Sequence, residues 1–137
     1  MRLKQFLEMR GADMGDRVHI LALSALWVGL LYDASVLDDA WQLVKDWTND
    51  ERQTLRDEVP RTAIHTPFRK GTVADVAKRV VGLARHGLIG RDLGEEQYVA
   101  CLEETLALGK TPAERWLDKY GGVWAGDITR VFDEAEI

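Results

Sequence analysis

Two residues near the start of the chain have types and spacing suited to chemistry. In Leu7-Glu8-Met9-Arg10-Gly11-Ala12-Asp13, one residue separates Glu8 from Arg10. On a β-strand that spacing sends both side chains to the same face. A carboxylate beside a guanidinium is one way to hold a magnesium–nucleotide pair. Carboxylate oxygen suits a hard cation, and the planar fork of arginine takes phosphate or substrate oxygens. Gly11 would let the backbone approach a ligand closely at the strand's end. The same Glu-x-Arg spacing also makes a plain surface ion pair, the commoner outcome for this tripeptide taken alone.

Other reactive residue types are scattered. Arg69 closes Thr66-Pro67-Phe68-Arg69, a run that reads as a rigid turn with a packed Phe. Its guanidinium is the second candidate for binding phosphate or a substrate carboxylate. His19, His65 and His86 lie far apart without metal-ligand spacing and read as structural or solvated. Cys101 is the single cysteine, which excludes an internal disulfide and a Cys-rich zinc site and fits a reducing compartment. Glu103 and Glu104 beside it disfavour a thiolate, so it reads as inert packing. Of five tryptophans, Trp27, Trp41 and Trp47 fall at apolar helical positions and are expected in the core. Trp124, after Gly121-Gly122-Val123, is expected in a partly exposed turn. No Gly-rich phosphate loop, nucleophile elbow or paired-carboxylate hydrolase arrangement is visible.

The elements that must position these residues follow from periodicity. From Arg2 to Arg10, Leu3, Gln5, Leu7 and Met9 alternate with Lys4, Phe6, Glu8 and Arg10, the pattern of one short strand. Gly11-Ala12-Asp13 breaks it. Helices are then predicted from about Asp16 to Tyr32 and from Asp33 to Asp46. Thr48-Asn49-Asp50-Glu51 is a capping box whose helix is predicted to stop before Pro60. Thr72-Val73-Ala74-Asp75 opens another, to about His86, and Glu95 to Leu108 a further one, ended by Gly109. Thr111-Pro112-Ala113-Glu114 adds proline at the first helical position, where its missing donor costs nothing. Gly126-Asp127 is a weaker start for a terminal helix. Pro60 to Gly71 and Gly87 to Gly94 are the expected loops. The fold class is therefore mainly α: one domain over residues 1–137, with an N-terminal strand and turn (1–13) and a bundle of about six helices (14–137). A lone strand leaves backbone donors and acceptors without partners, which suggests that the chain lacks its sheet.

The 137 residues are 46% hydrophobic and 30% charged, a soluble globular balance that excludes disordered and fibrous classes. Eighteen Lys and Arg against 23 Asp and Glu give a net charge of −5, so nucleic acid is not an expected partner. The apolar run Ile20 to Tyr32 falls short of the ~20 residues of a membrane span, and neither a membrane nor a secretory signal is expected. Cytoplasm is the expected location.

The run Arg2-Leu3-Lys4-Gln5-Phe6-Leu7-Glu8-Met9-Arg10-Gly11-Ala12-Asp13 resembles a segment of glutamate–cysteine ligases of the plant and alphaproteobacterial type. The resemblance continues in order through Leu26 to Asp33, Asp46-Trp47-Thr48, Val59-Pro60, Thr66-Pro67-Phe68-Arg69, Thr111-Pro112-Ala113-Glu114 and Tyr120-Gly121-Gly122-Val123-Trp124. It implies ATP-dependent ligation of glutamate and cysteine to γ-glutamylcysteine, with ATP and magnesium as cofactors, on a glutamine-synthetase-like α+β fold. By the same resemblance Glu8 matches a metal-binding carboxylate. Arg10 matches an arginine facing the transferred phosphoryl group or the glutamate. Three positions depart from the family pattern: Ser24 replaces a usual proline, Leu21 a usual cysteine and His65 a common lysine. The loss of the cysteine argues against the redox disulfides of plant members. Met1 falls where the family already has most of its length behind it, so the missing N-terminal ligase portion is an expected partner and the chain alone is expected to be inactive. The alternative is a stand-alone helical interaction module that docks on a partner through its N-terminal strand.

Overall fold

The computed structural model describes residues 2–3, 7–8, 12 and 15–135. Where one strand is expected there are two. β1 (Arg2–Leu3) pairs antiparallel with β2 (Leu7–Glu8), with Arg2 opposite Glu8 and Leu3 opposite Leu7. The correction has a backbone cause. A single extended segment leaves its ladder groups unpaired, whereas a hairpin pairs them within the chain. The premise of an unpaired strand, on which the interaction-module reading relied, is corrected with it.

Most of the other described residues are helical, so the mainly-α expectation holds. Seven α-helices lie among the described residues, one at each of the places where a helix is predicted, in a bundle expected to hold about six: α1 (Arg17–Leu31), α2 (Ala34–Val44), α3 (Asn49–Thr62), α4 (Val73–Gly90), α5 (Ala100–Leu108), α6 (Pro112–Gly121) and α7 (Val131–Glu134). The helix starts fall where the side chains dictate. The carboxylates of Asp16 and Asp33 accept from the backbone N–H of His19 at 2.9 Å and of Val36 at 3.0 Å. Thr48 and Glu51 form the expected capping box, with the Glu51 N–H donating to Thr48 Oγ1 at 3.1 Å and the Thr48 N–H to Glu51 Oε2 at 2.8 Å. Thr111 and Glu114 repeat it at the start of α6.

The helix ends are less predictable. α3 runs through Pro60 to Thr62 rather than stopping before the proline. So close to the C-terminus the proline removes one ladder bond, and Thr62 Oγ1 donates to the Glu58 carbonyl at 3.2 Å. The expected Pro60–Gly71 loop is the last turn of α3, a 3₁₀ turn (Ala63–His65), and a hairpin in which β3 (Pro67–Phe68) pairs with β4 (Gly71–Thr72). α4 continues past His86 through Gly87 to Gly90, and the helix expected from Glu95 begins as a 3₁₀ turn (Glu95–Val99) before α5.

The core is the seam between α1 and α4. Ala22, Ala25 and Gly29 lie on the buried side of α1, and Val81, Ala84, Gly87 and Leu88 on that of α4. A Cβ added to Gly29 would lie 2.8 Å from the carbonyl carbon of Ala84, and one added to Gly87 would lie 3.0 Å from that of Gly29. The two backbones meet closely enough that neither glycine can carry a side chain. One cluster extends from this seam to Val99 and Leu106, and another reaches Leu30 and Val36. Two tryptophans correct the sequence reading. Trp41 is exposed, whereas Trp124 is buried and its indole N–H donates to Glu134 at 2.7 Å.

Candidate functional site

Glu8 occupies the second position of β2, where the pairing register puts Arg2 across from it. The Glu8 side chain and the whole of Arg10 lie outside the described residues, so the one-face pairing of those groups stands as an expectation. Arg2 is a cross-strand neighbour that the sequence reading missed. Lys4-Gln5-Phe6 between the strands carries no glycine, asparagine or proline to signal a hairpin.

Arg69 sits at the tip of the β3–β4 hairpin with φ at +51°, a left-handed conformation that favours glycine. Its side chain holds it there. Nε donates to Glu51 Oε1 at 2.7 Å, and Nη2 donates to Glu51 Oε2 at 2.9 Å and to the Asp46 carbonyl at 2.8 Å. This is a bidentate arginine–carboxylate pair with a backbone anchor. The Arg69 guanidinium and the Thr48 backbone together hold the Glu51 carboxyl down at about 2. Phe68 is buried beside it, edge-on to Trp47 with ring centroids 4.8 Å apart. The expected rigid turn with a packed Phe is therefore present. Its arginine already faces a carboxylate, and binding an anion there would require Arg69 to exchange Glu51 for it.

A third cluster forms at the start of α1, where a cleft of about 220 Å³ is lined by Asp16, Val18, His19, Cys101, Glu104, Thr105 and Arg115. His19 Nδ1 lies 2.7 Å from Asp16 Oδ1, while its Nε2 is buried without a partner. Burial, and then the Asp16 charge, push the Cys101 thiol upward, so a thiolate is disfavoured there as expected. The Asp16–His19 spacing is legible as a helix cap, but nothing local in the sequence brings Cys101 and Arg115 to it. Among the described residues no three His, Cys, Asp or Glu side chains converge to hold a metal.

Residues 1–134 match glutamate-cysteine ligase family 2. The chain belongs to this family. It is 45% identical to the chloroplastic glutamate–cysteine ligases of Brassica juncea and Arabidopsis thaliana over 134 residues, 98% of this chain and 26% of each relative. The chloroplastic glutamate–cysteine ligase A of Oryza sativa subsp. japonica is 42% identical over the same length, 27% of its own. The family resemblance read from the motifs is thus established across nearly the whole chain. The chain spans about a quarter of the length of the curated relatives it matches. The expectation of a cytoplasmic location is corrected by these matches, since the relatives are named as chloroplastic ligases.

Proposed function

We propose that this chain is the C-terminal portion of an ATP-dependent ligase that forms γ-glutamylcysteine from L-glutamate and L-cysteine. The family match over residues 1–134, which contains Glu8-Met9-Arg10, carries the reading. In this reaction ATP phosphorylates the side-chain carboxyl of glutamate and ADP leaves. The cysteine amine then attacks that carbonyl carbon, and phosphate departs as the amide forms and the amine loses its proton. Phosphoryl transfer of this kind is mainly positioning and charge neutralisation. In this reading Arg10 would face the phosphoryl group or the glutamate, and Glu8 would contribute one carboxylate towards magnesium. Among the described residues no three His, Cys, Asp or Glu side chains form a ligand set for that ion. The β1–β2 hairpin would extend the sheet of a glutamine-synthetase-like fold.

Arg69 has a different part in this reading. Its bond to Glu51 ties the β3–β4 hairpin to the start of α3, so it positions the helical layer unless substrate displaces the carboxylate.

The test replaces the matching segment of the Brassica juncea ligase with this chain and measures phosphate release dependent on ATP, glutamate and cysteine. The chimera is expected to turn over. Arg10→Ala should lower kcat by about 10²–10³-fold, the usual effect of removing one preorganised charge-stabilising donor. Glu8→Gln should weaken the dependence on magnesium. Near-normal turnover in both variants would remove the site assignment, and turnover by the isolated chain would overturn its role as a portion.

A further inference from the structure

α1 is packed in an unusual way for a surface helix. Its small residues Ala25 and Gly29 meet α4 and Ala22 is buried on the same side, while large apolar residues lie on the opposite side. At 100° per residue, Ile20, Ser24, Trp27 and Leu31 line that outer side, flanked by Leu21 and Leu23. Trp27 and Leu31 are partly covered through the cluster containing Val36. The first half of the face is open, with Ile20 51%, Leu21 45% and Leu23 37% exposed. A helix apolar on all sides is normally buried on all sides. Fifteen residues rise only about 22 Å, too short to cross the ~30 Å core of a bilayer. No single described helix is long and apolar enough to span one.

Two observations bear on what covers the face. The relatives that match 98% of this chain are about four times its length, so about three quarters of each relative lies outside the matched part. The face also begins only 12 residues after Glu8, on the helix that follows the β1–β2 hairpin. We propose that Ile20, Leu21, Leu23 and Ser24 form the seat on which the remaining three quarters of the ligase packs, sandwiching α1 between that body and α4. The proposed function supplies the identity of the occupant, whereas the seat follows from the layout of α1.

The test is thiol labelling of Ser24→Cys, in a Cys101→Ala background, in the isolated chain and in the chimera described above. Ser24 is exposed and small, so the change leaves the α1–α4 seam intact. Labelling is expected to be fast in the isolated chain and at least 100-fold slower in the chimera. Arg61→Cys on α3, also exposed, is a second reporter and is expected to stay fast in the isolated chain. Ile20→Glu with Leu23→Glu should leave the thermal midpoint of the isolated chain unchanged but lower that of the chimera. Equal labelling of Ser24→Cys in both contexts would overturn the seat even if the chimera ligates. Protection without ligation would overturn the proposed function and leave the seat standing. Protection that grows with concentration of the isolated chain, or on adding phosphatidylcholine vesicles, with no further change in the chimera, would assign the face to a second copy or to lipid and overturn the proposal.

Discussion

Gly87→Ala and Gly82→Ala make the same chemical change on the same helix and should move stability in opposite directions. An added Cβ at Gly82 meets nothing within 4 Å, whereas one at Gly87 meets the backbone carbonyl of Gly29, with its carbon 3.0 Å away and its oxygen closer. Alanine gains about 1 kcal/mol over glycine in a helix interior through propensity and reduced unfolded-state entropy. At Gly82 that gain is unopposed, and a rise of about 0.5–1 kcal/mol is expected. At Gly87 the obstacle is backbone, which cannot swing aside, so α1 and α4 must separate and loosen the packing of Ala25, Val81, Ala84 and Leu88. Overpacking of this kind costs about 1–3 kcal/mol, and a backbone obstacle on the main core seam belongs at the upper end. The net change is a loss of about 2 kcal/mol. For a chain of this size that is a fall of about 6–10 °C in Tm, against a rise of about 2–4 °C for Gly82→Ala. Thermal and urea unfolding followed by far-UV circular dichroism would measure both. Equal or greater stability of Gly87→Ala than of Gly82→Ala would refute the close helix crossing.

Acid should weaken the Arg69 clamp. The folded Glu51 carboxyl titrates at about 2, below its ordinary 4.5, so its contribution is present above pH 4.5 and is lost as pH falls towards 2. Glu51→Gln keeps a capping amide but removes the charge. Its destabilisation should be largest near neutrality, shrink below pH 4.5 and vanish only below pH 2, and a pH-independent difference would contradict the assignment. Trp124→Phe removes the donor to Glu134 and shrinks the buried indole, which sits 5.4 Å from the ring of Trp116, and should cost about 1–3 kcal/mol. Chemical unfolding would detect this loss, and an unchanged midpoint would mean that the bond contributes nothing. Phe68→Ala opens a cavity beside Trp47 and should cost about 3–5 kcal/mol, with a change in Trp47 emission as the second readout.

The local chemistry of helix starts was legible in the sequence because a cap involves residues three apart. Asp16, Asp33, Thr48 with Glu51, and Thr111 with Glu114 all cap where their side chains require. The ordered motif blocks carried the family in the same way. Tertiary structure decided what depends on distant neighbours. Gly87 reads as a breaker in isolation, yet Gly29 on another helix makes it a contact point within α4. Trp41 and Trp124 exchange their expected exposures because burial depends on what packs above a side chain, not on its place in a periodic pattern. Arg69 is open in the sequence as a candidate anion ligand at the end of a rigid turn, and the fold brings Glu51, eighteen residues away, against it. The sequence alone therefore determined membership of the ligase family and the points where helices begin. The fold determined which glycines are buried, which arginine is already paired, and which face of α1 still lacks a neighbour, because each requires atoms far apart in the chain to meet.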